Sequence, residues 1–218
     1  MNQMNVWGMT DIGLVRKENQ DAYVTAQHTA SGRTVGVVCD GMGGPAGGRV
    51  ASQIAVSVYL EELEKLLTAD QTPQQLLEAS AQAAALANQA IQAEAERREE
   101  CRNMGTTLVS AISYDGGVVV TNVGDSRAYH ITEDGITRIT KDHSLVESMV
   151  DRGDITAEEA RRHPNRNLIT RALGPDIQAQ ADTFAVAWHP GDFILLCTDG
   201  LVNTVSDQEM LFEVAHGV

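Results

Sequence analysis

The chain has 218 residues, 43% of them hydrophobic and 21% charged, which suits one domain with a sizeable core. Its Asp and Glu number 30 against 16 Lys and Arg, and the formal net charge of −14 argues against a protein that grips nucleic acid or anionic membrane. No run approaches the roughly 20 apolar residues that cross a bilayer, and the opening stretch Met1–Asp11 has neither a basic region nor an apolar core, so a cytoplasmic protein is expected.

Short segments rich in Val, Ile and Thr, bounded by Gly, Asp and Asn, predict strands. The first two cover Ala22–Thr25 and Thr34–Cys39. A helical pattern follows over Arg49–Leu67, with Ile54, Val58, Leu60, Leu63 and Leu67 on its apolar stripe. Thr72-Pro73-Gln74-Gln75 is a capping box with proline at the first helical position. It opens a second helix, rich in Ala, Gln and Glu, that runs to about Arg98 and keeps Leu76, Ala83, Ala87 and Ala90 on one face. The pair predicts a helical hairpin packed on a sheet. Four more strands follow at Thr106–Ser113, Val118–Val123, Arg127–Ile131 and Ile136–Ile139, with Asp-Gly turns at 115–116 and 134–135. Ser144, Thr156 and Ser206 each begin a shorter helix, and strands Thr183–Ala187 and Phe193–Thr198 lie between the last two. This order lacks a β-α-β alternation. It predicts an α+β fold of antiparallel sheets with helices outside. Cys39, Cys101 and Cys197 form no CxxC pair; Cys39 and Cys197 sit inside apolar strands and read as small buried hydrophobes.

The stretch from Asp40 to Ser52 is the densest in glycine: Gly41, Gly43, Gly44, Gly47 and Gly48. Gly41 to Ala46 fits G-x-G-x-x-[GA] after a strand, but the helix that follows leads into another helix, so the β-α-β context of a dinucleotide site is missing. Gly43 to Val50 nearly spells a P-loop, yet Arg49 and Val50 stand where lysine and a magnesium-binding hydroxyl are needed. A plain turn into a helix remains open for the loop taken alone. A second Asp-Gly step, Asp199-Gly200, also ends an apolar strand. Side by side, those strand ends bring Asp40 and Asp199 together, and paired carboxylates call for a proton or a cation. Oxygen donors suit Mg²⁺ or Mn²⁺ rather than zinc. Asp21, with Arg16 five residues before it, and Asp125, after the run Val118–Val123, are further candidates. Either taken singly is more often a turn residue than a ligand.

"RKENQD", "VVCDGMGGPAGG", "MGTTLVSA", "NVGDSRAYHI", "TKDHSLV" and "LLCTDGL" stand in the order and spacing of the metal-dependent protein serine/threonine phosphatases. From about residue 7 to residue 210 the chain resembles protein phosphatase 2C in its compact bacterial form. The resemblance implies a single phosphatase domain over 1–218, built as a four-layer α-β-β-α sandwich of two antiparallel β-sheets flanked by helices. It implies hydrolysis of phosphoserine and phosphothreonine by a water activated between two Mn²⁺ or Mg²⁺ ions. Asp40 then bridges the two ions, the Gly41 carbonyl binds one, Asp199 ligates the other, and Asp21 holds metal-bound waters. Arg16 grips the substrate phosphate, and Asp125 helps to hold a third, weaker metal. A flap over about 151–173 offers Arg161, Arg162, Arg166 and Arg171 as phosphopeptide contacts, with a solvated surface as the alternative for each. Phosphorylated substrates of a bacterial serine/threonine kinase are the expected partners, with no nucleic acid, no membrane and a monomeric state. The competing expectation is a phosphatase-like regulatory or binding module with weak or no activity.

Three positions depart from the wider family pattern. Met42 stands where many members carry a histidine that protonates the leaving group. Asn203 occupies a place where some members have another carboxylate. No Asp-Asn motif follows Asp207, so the resemblance leads one to expect that the natural protein continues roughly 20–30 residues past Val218 and includes a C-terminal strand with one more carboxylate.

Overall fold

The computed structural model describes residues 4–28 and 30–217; the expected domain limits at residues 1 and 218 lie outside them. Strand pairing separates the chain into two sheets, antiparallel throughout. The larger runs β1 (Asp21–Gln27), β2 (Thr34–Met42), β4 (Leu108–Tyr114), β5 (Gly117–Val123), β8 (Asp182–Ala187), and the two-residue β3 (Gly105–Thr106) pairs with the end of β2. The smaller runs β7 (Gly135–Arg138), β6 (Arg127–Thr132), β9 (Phe193–Cys197).

Side chains alternate faces along a strand, and here each face has its own apolar layer. Val35, Val37 and Cys39 of β2 turn to the helices α1 (Gly44–Leu66) and α2 (Pro73–Arg97), meeting Tyr59, Leu63, Leu76 and Ile91. Val38, between them, turns to the other side. There it joins Val109, Val118, Val120 and Phe184 against Ala128, Ile194 and Leu196 of the smaller sheet. The far face of that sheet buries Tyr129, Ile131 and Cys197 against α5 (Asp199–Val202) and α6 (Asp207–Gly217), with Met210 at the centre. The layers are therefore helix, sheet, sheet, helix. β5 is buried at every position because it is covered on both faces. Two shorter helices, α3 (Leu145–Asp151) and α4 (Ala157–Arg162), lie beside this stack. Among the described residues no helix is long and apolar enough to cross a membrane.

The Thr72 hydroxyl accepts the Gln75 N–H while the Gln75 side chain takes the Thr72 N–H, so α2 starts where its capping box predicts. Its buried face is wider than expected. Ile91 is fully buried, whereas Ala90 is only half-buried.

Helix α1 begins at Gly44 rather than Arg49. Glycine is a poor helix former, so periodicity hid the first turns. Packing requires the glycines there. A Cβ on Gly48 would lie 2.6 Å from Gln20 Oε1, and one on Gly47 3.0 Å from Met104 Cβ. Gly43, at φ 116°, sets the entry angle. The expected strand Thr106–Ser113 is split at Thr107, for a reason that belongs to the site described below.

The helical layer is pinned to the larger sheet by a buried hydroxyl chain. Tyr59 Oη bonds Ser80 on α2 at 2.5 Å and Ser110 on β4 at 2.6 Å, and Ser80 in turn bonds Thr121 on β5. Tyr59→Phe strands the Ser110 hydroxyl in a dry layer and should lower the unfolding free energy by about 1–2 kcal/mol. Urea denaturation followed by circular dichroism reads this; an unchanged midpoint would show that the chain reorganises without loss.

Candidate active site

Asp40 lies within β2, with its backbone fully engaged by two threonines. Its N–H donates to Thr107 Oγ1 at 2.9 Å, and its carbonyl accepts from the Thr107 N–H at 2.9 Å and from Thr106 Oγ1 at 2.8 Å. A hydroxyl thus replaces a ladder carbonyl, which is why pairing breaks between β3 and β4. Asp21 pairs directly across from Asp40 in the β1–β2 register. Cross-strand partners share a face, so the ladder forces two carboxylates together. Thr198 Oγ1 donates to Asp21 Oδ2 at 3.0 Å, and Asp199 follows in the first turn of α5. Asp199 therefore opens a helix while Asp40 lies inside a strand that continues to Met42, although both precede glycine. Asn203 Nδ2 donates to Asp199 Oδ2 at 3.1 Å.

Gly41 permits the closest approach in this region. A Cβ there would stand 2.0 Å from the Gly48 carbonyl oxygen and 2.7 Å from that of Gln20, so any other residue would push the start of α1 away from β2. Gln20 completes the junction. Its carbonyl accepts from the Gly41 N–H at 3.1 Å and from Ser52 Oγ at 2.6 Å, while its amide donates to the Gly44 carbonyl at 2.9 Å.

Asp125 is in the turn between β5 and β6, where the chain passes from one sheet to the other. Thr107 Oγ1 bonds Ser126 Oγ at 2.7 Å, so the hydroxyl that holds Asp40 also holds this turn.

These pieces surround one cavity of about 340 Å³. Arg16, Asp40, Gly41, Asp125 and Asp199 line it; Asp21 sits behind Asp40. Arg16 hangs from the exposed arm before β1, and among the described residues it makes no ion pair. Burial pushes the Asp40 carboxyl up to about 8, helped by Asp21, Asp199 and Asp125. Burial and then Asp199 and Asp142 push Asp125 up to about 7. Burial also raises Asp21, against the opposing pull of its hydrogen bonds to Thr198 and Asp40 and of Arg16.

The site is thus a half-buried anionic cluster without enough protein cations. Its donors are hard oxygens, the set that Mg²⁺ and Mn²⁺ take. Among the described residues no three His, Cys, Asp or Glu side chains gather closely enough to hold an ion by themselves.

The segment 151–173 borders the cavity, but not through its arginines. Arg171 Nη1 donates to Asp182 Oδ1 at 2.7 Å and to the Gln180 carbonyl at 2.9 Å, which commits it to β8. Arg162 lies 3.5 Å from Glu158 at the surface, and Arg161 and Arg166 are exposed. Asn167 and Ile169 supply the wall instead. Met42 also lines the cavity, where it has no proton to give. Gln20, Thr106, Thr107, Ser126 and Thr198 were inside recognised motifs, but the motifs alone assigned them no task.

The family model for protein phosphatase 2C matches residues 15–217. The serine/threonine phosphatase stp of Listeria innocua is 38% identical over 92% of this chain and 79% of its own. The crystal structure of serine/threonine phosphatase Stp1 from Staphylococcus aureus superposes with a TM-score of 0.82 at 37% identity, covering 93% of this chain and 78% of that one. The catalytic domain of the phosphatase PstP, crystallised with two manganese ions, gives 0.74 at 36% identity over 92% of this chain and 79% of that one. With that likeness running through both sheets and the carboxylate-lined cavity between their ends, the chain belongs to the protein phosphatase 2C family of serine/threonine phosphatases.

Proposed function

We propose that the chain hydrolyses phosphoserine and phosphothreonine in proteins at a binuclear Mn²⁺ or Mg²⁺ centre. Asp40, the Gly41 carbonyl and Asp199 hold the two ions, Asp21 acts through water, and Asp125 serves a third, weaker position. One observation carries this: Arg16 shares a cavity with carboxylates that burial and mutual repulsion push up to about 8 and about 7. Left alone, such a cluster repels a phosphate dianion; cations reverse the local field and make substrate binding possible. When bound, the ions supply Lewis acidity and a water of lowered pKa.

The chain's own groups do the rest. The Arg16 fork matches two phosphoryl oxygens and steadies the charge that develops on them. Its exposed arm lets it follow the phosphate inward. The Thr106–Thr107 pair keeps Asp40 from shifting as charge moves, which is preorganisation by backbone hydrogen bonds. Met42 transfers no proton, so the departing serine or threonine oxygen is protonated from water in the open cavity. A cysteine route is closed: Cys39 is fully buried among the helix-facing core residues, where burial and the neighbouring aspartates push its thiol up. The partners that fit are phosphoproteins made by a serine/threonine kinase, met by a monomer in the cytoplasm.

Asp40→Asn should lower kcat/KM for a small aryl phosphate by about 10³-fold or more, roughly 4 kcal/mol of transition-state stabilisation. Full turnover by that variant, or by the native protein in excess chelator, would sink the binuclear reading. A chain that binds Mn²⁺ yet never turns over would mark a binding module instead. Arg16→Ala should raise KM about tenfold for a phosphopeptide and leave the melting temperature in place, since the side chain is exposed. A fall in melting temperature at constant KM would make Arg16 structural.

The raised carboxyls also set a pH dependence. An acid whose pKa is higher folded than unfolded adds stability below its unfolded value, near 3.8, and loses it as pH rises through the folded value, about 8 for Asp40. Chelated protein should therefore lose thermal stability between about pH 5 and pH 8. Added Mn²⁺ should restore more of it at pH 8 than at pH 6, because ligands must be deprotonated to bind. Scanning calorimetry at both pH values checks this; an equal Mn²⁺ effect at each contradicts it.

A further inference from the structure

His143, just before α3, joins parts of the molecule that no sequence motif connects. It is only 8% exposed. The Gly124 N–H donates to His143 Nδ1 at 3.0 Å, and the His143 N–H donates back to the Gly124 carbonyl at 2.9 Å. Gly124 is thus gripped at both of its polar groups, and its neighbour Asp125 faces the cavity. The His143 carbonyl accepts the Thr170 N–H at 2.8 Å, beside the wall residue Ile169. On the far side of the ring, Nε2 lies 3.1 Å from Asp182 Oδ2 on β8 and 3.0 Å from Arg171 Nη1.

These contacts allow one tautomer. Nδ1 must be bare to accept the Gly124 N–H, so the proton sits on Nε2 and goes to Asp182. Arg171 then spends its donors on Asp182 Oδ1 and the Gln180 carbonyl, not on the ring. Burial pushes the imidazole below its ordinary range, which favours the neutral form that this tautomer requires. A side chain that merely filled the core would need neither nitrogen. Gly124 stands at φ 107°, a conformation glycine visits freely, with Thr107 packed beside it, and the two His143 hydrogen bonds add a constraint that a missing side chain cannot supply.

We infer that His143 is a positioning residue of the hydrolytic site: it fixes the Gly124–Asp125 turn through Nδ1 and ties that turn to the segment 168–173 and to β8 through Nε2 and its backbone. The inference rests on the proposal that Asp125 faces a cation. A loose turn would let that carboxylate wander and weaken the last ion to bind, as losses of outer-shell partners do.

Two near-isosteric variants separate the nitrogens. In His143→Asn the amide oxygen falls where Nδ1 lies and still accepts from Gly124. In His143→Gln the amide reaches the Nε2 position but abandons Gly124. Mn²⁺ titration calorimetry without substrate, with melting temperatures alongside, should show the weakest binding step lost in Asp125→Asn. The same step should weaken about tenfold in His143→Gln and stay within about twofold of native in His143→Asn. Equal Mn²⁺ binding by the two histidine variants, or losses that simply track melting temperature, overturns the inference while Asp125 keeps its role. An unchanged weakest step in Asp125→Asn overturns the assignment of Asp125 itself, and the inference with it. Should both histidine variants fail to fold, imidazole ¹⁵N shifts of the native protein carry the test. They should report a bare Nδ1 that moves together with the Gly124 amide during Mg²⁺ titration; a protonated Nδ1, or a ring unmoved at saturation, overturns the inference.

Discussion

Everything at the working end of this molecule depends on holding like charges together. Two unit charges about 5 Å apart in a setting of effective dielectric near 20 repel by roughly 3 kcal/mol. Burial raises the Asp40 carboxyl to about 8, and repulsion from Asp21, Asp199 and Asp125 adds to it. The opposing force comes from elsewhere. The β1–β2 ladder fixes Asp21 against Asp40, three apolar layers hold the sheets in place, and two threonines saturate the Asp40 backbone. None of these can relax without breaking a paired backbone group or opening a packed layer. On the proposed reading, cations convert that repulsion into affinity.

The cluster sits where it does because of how the two sheets stack. Val38 and Asp40 lie on the same face of β2. Val38 packs into the dry layer between the sheets, and Asp40 is one step further along, where that layer ends. Asp125 occupies the turn by which the chain crosses from β5 to β6, and Asp199 follows β9 of the opposite sheet. The site is the open end of the inter-sheet layer, and each sheet contributes acid to it. Helix α1 packs directly against the Asp40 end of β2, which is possible only because Gly41 and Gly48 let backbones meet where side chains would collide.

Much of this was legible in residue order. Alternation in Thr34–Cys39, the Thr72 capping box and the Asp115-Gly116 turn each depend on neighbours in sequence, and the structure agrees with them; the next hairpin turns one residue earlier than expected, at Glu133-Asp134, because Gly135 already pairs with Thr132. The six motifs pointed to Asp40, Asp125, Asp199 and Arg16, which share the cavity. What stayed hidden depends on contacts distant in sequence. Nothing local says that Thr107 will offer its hydroxyl to Asp40, or that Gly47 and Gly48 let the first turns of α1 pass close to Met104 and Gln20. Arg171 looked like a phosphopeptide contact because its partner Asp182 lies on a strand that forms later in the chain. Asn167 and Ile169 carry no charge to draw notice, yet they make the wall.

Strand register also decides which chemistry the site can host. Cys39 and Asp40 are adjacent, so they point to opposite faces of β2. In the register observed, the thiol lies sealed against the helices and the carboxylate looks into the cavity. A slip of one residue would exchange them, placing a nucleophilic sulfur at the open end and a charge in the driest layer of the core. Burying that charge unpaired would cost several kcal/mol, far more than the slip could return. The same apolar pattern that folds β2, Val35 and Val37 inward with Cys39, therefore also keeps the thiol out of the cavity and turns the carboxylate into it. Fold stability and the chemistry that faces the cavity are fixed here by one alternation of side chains.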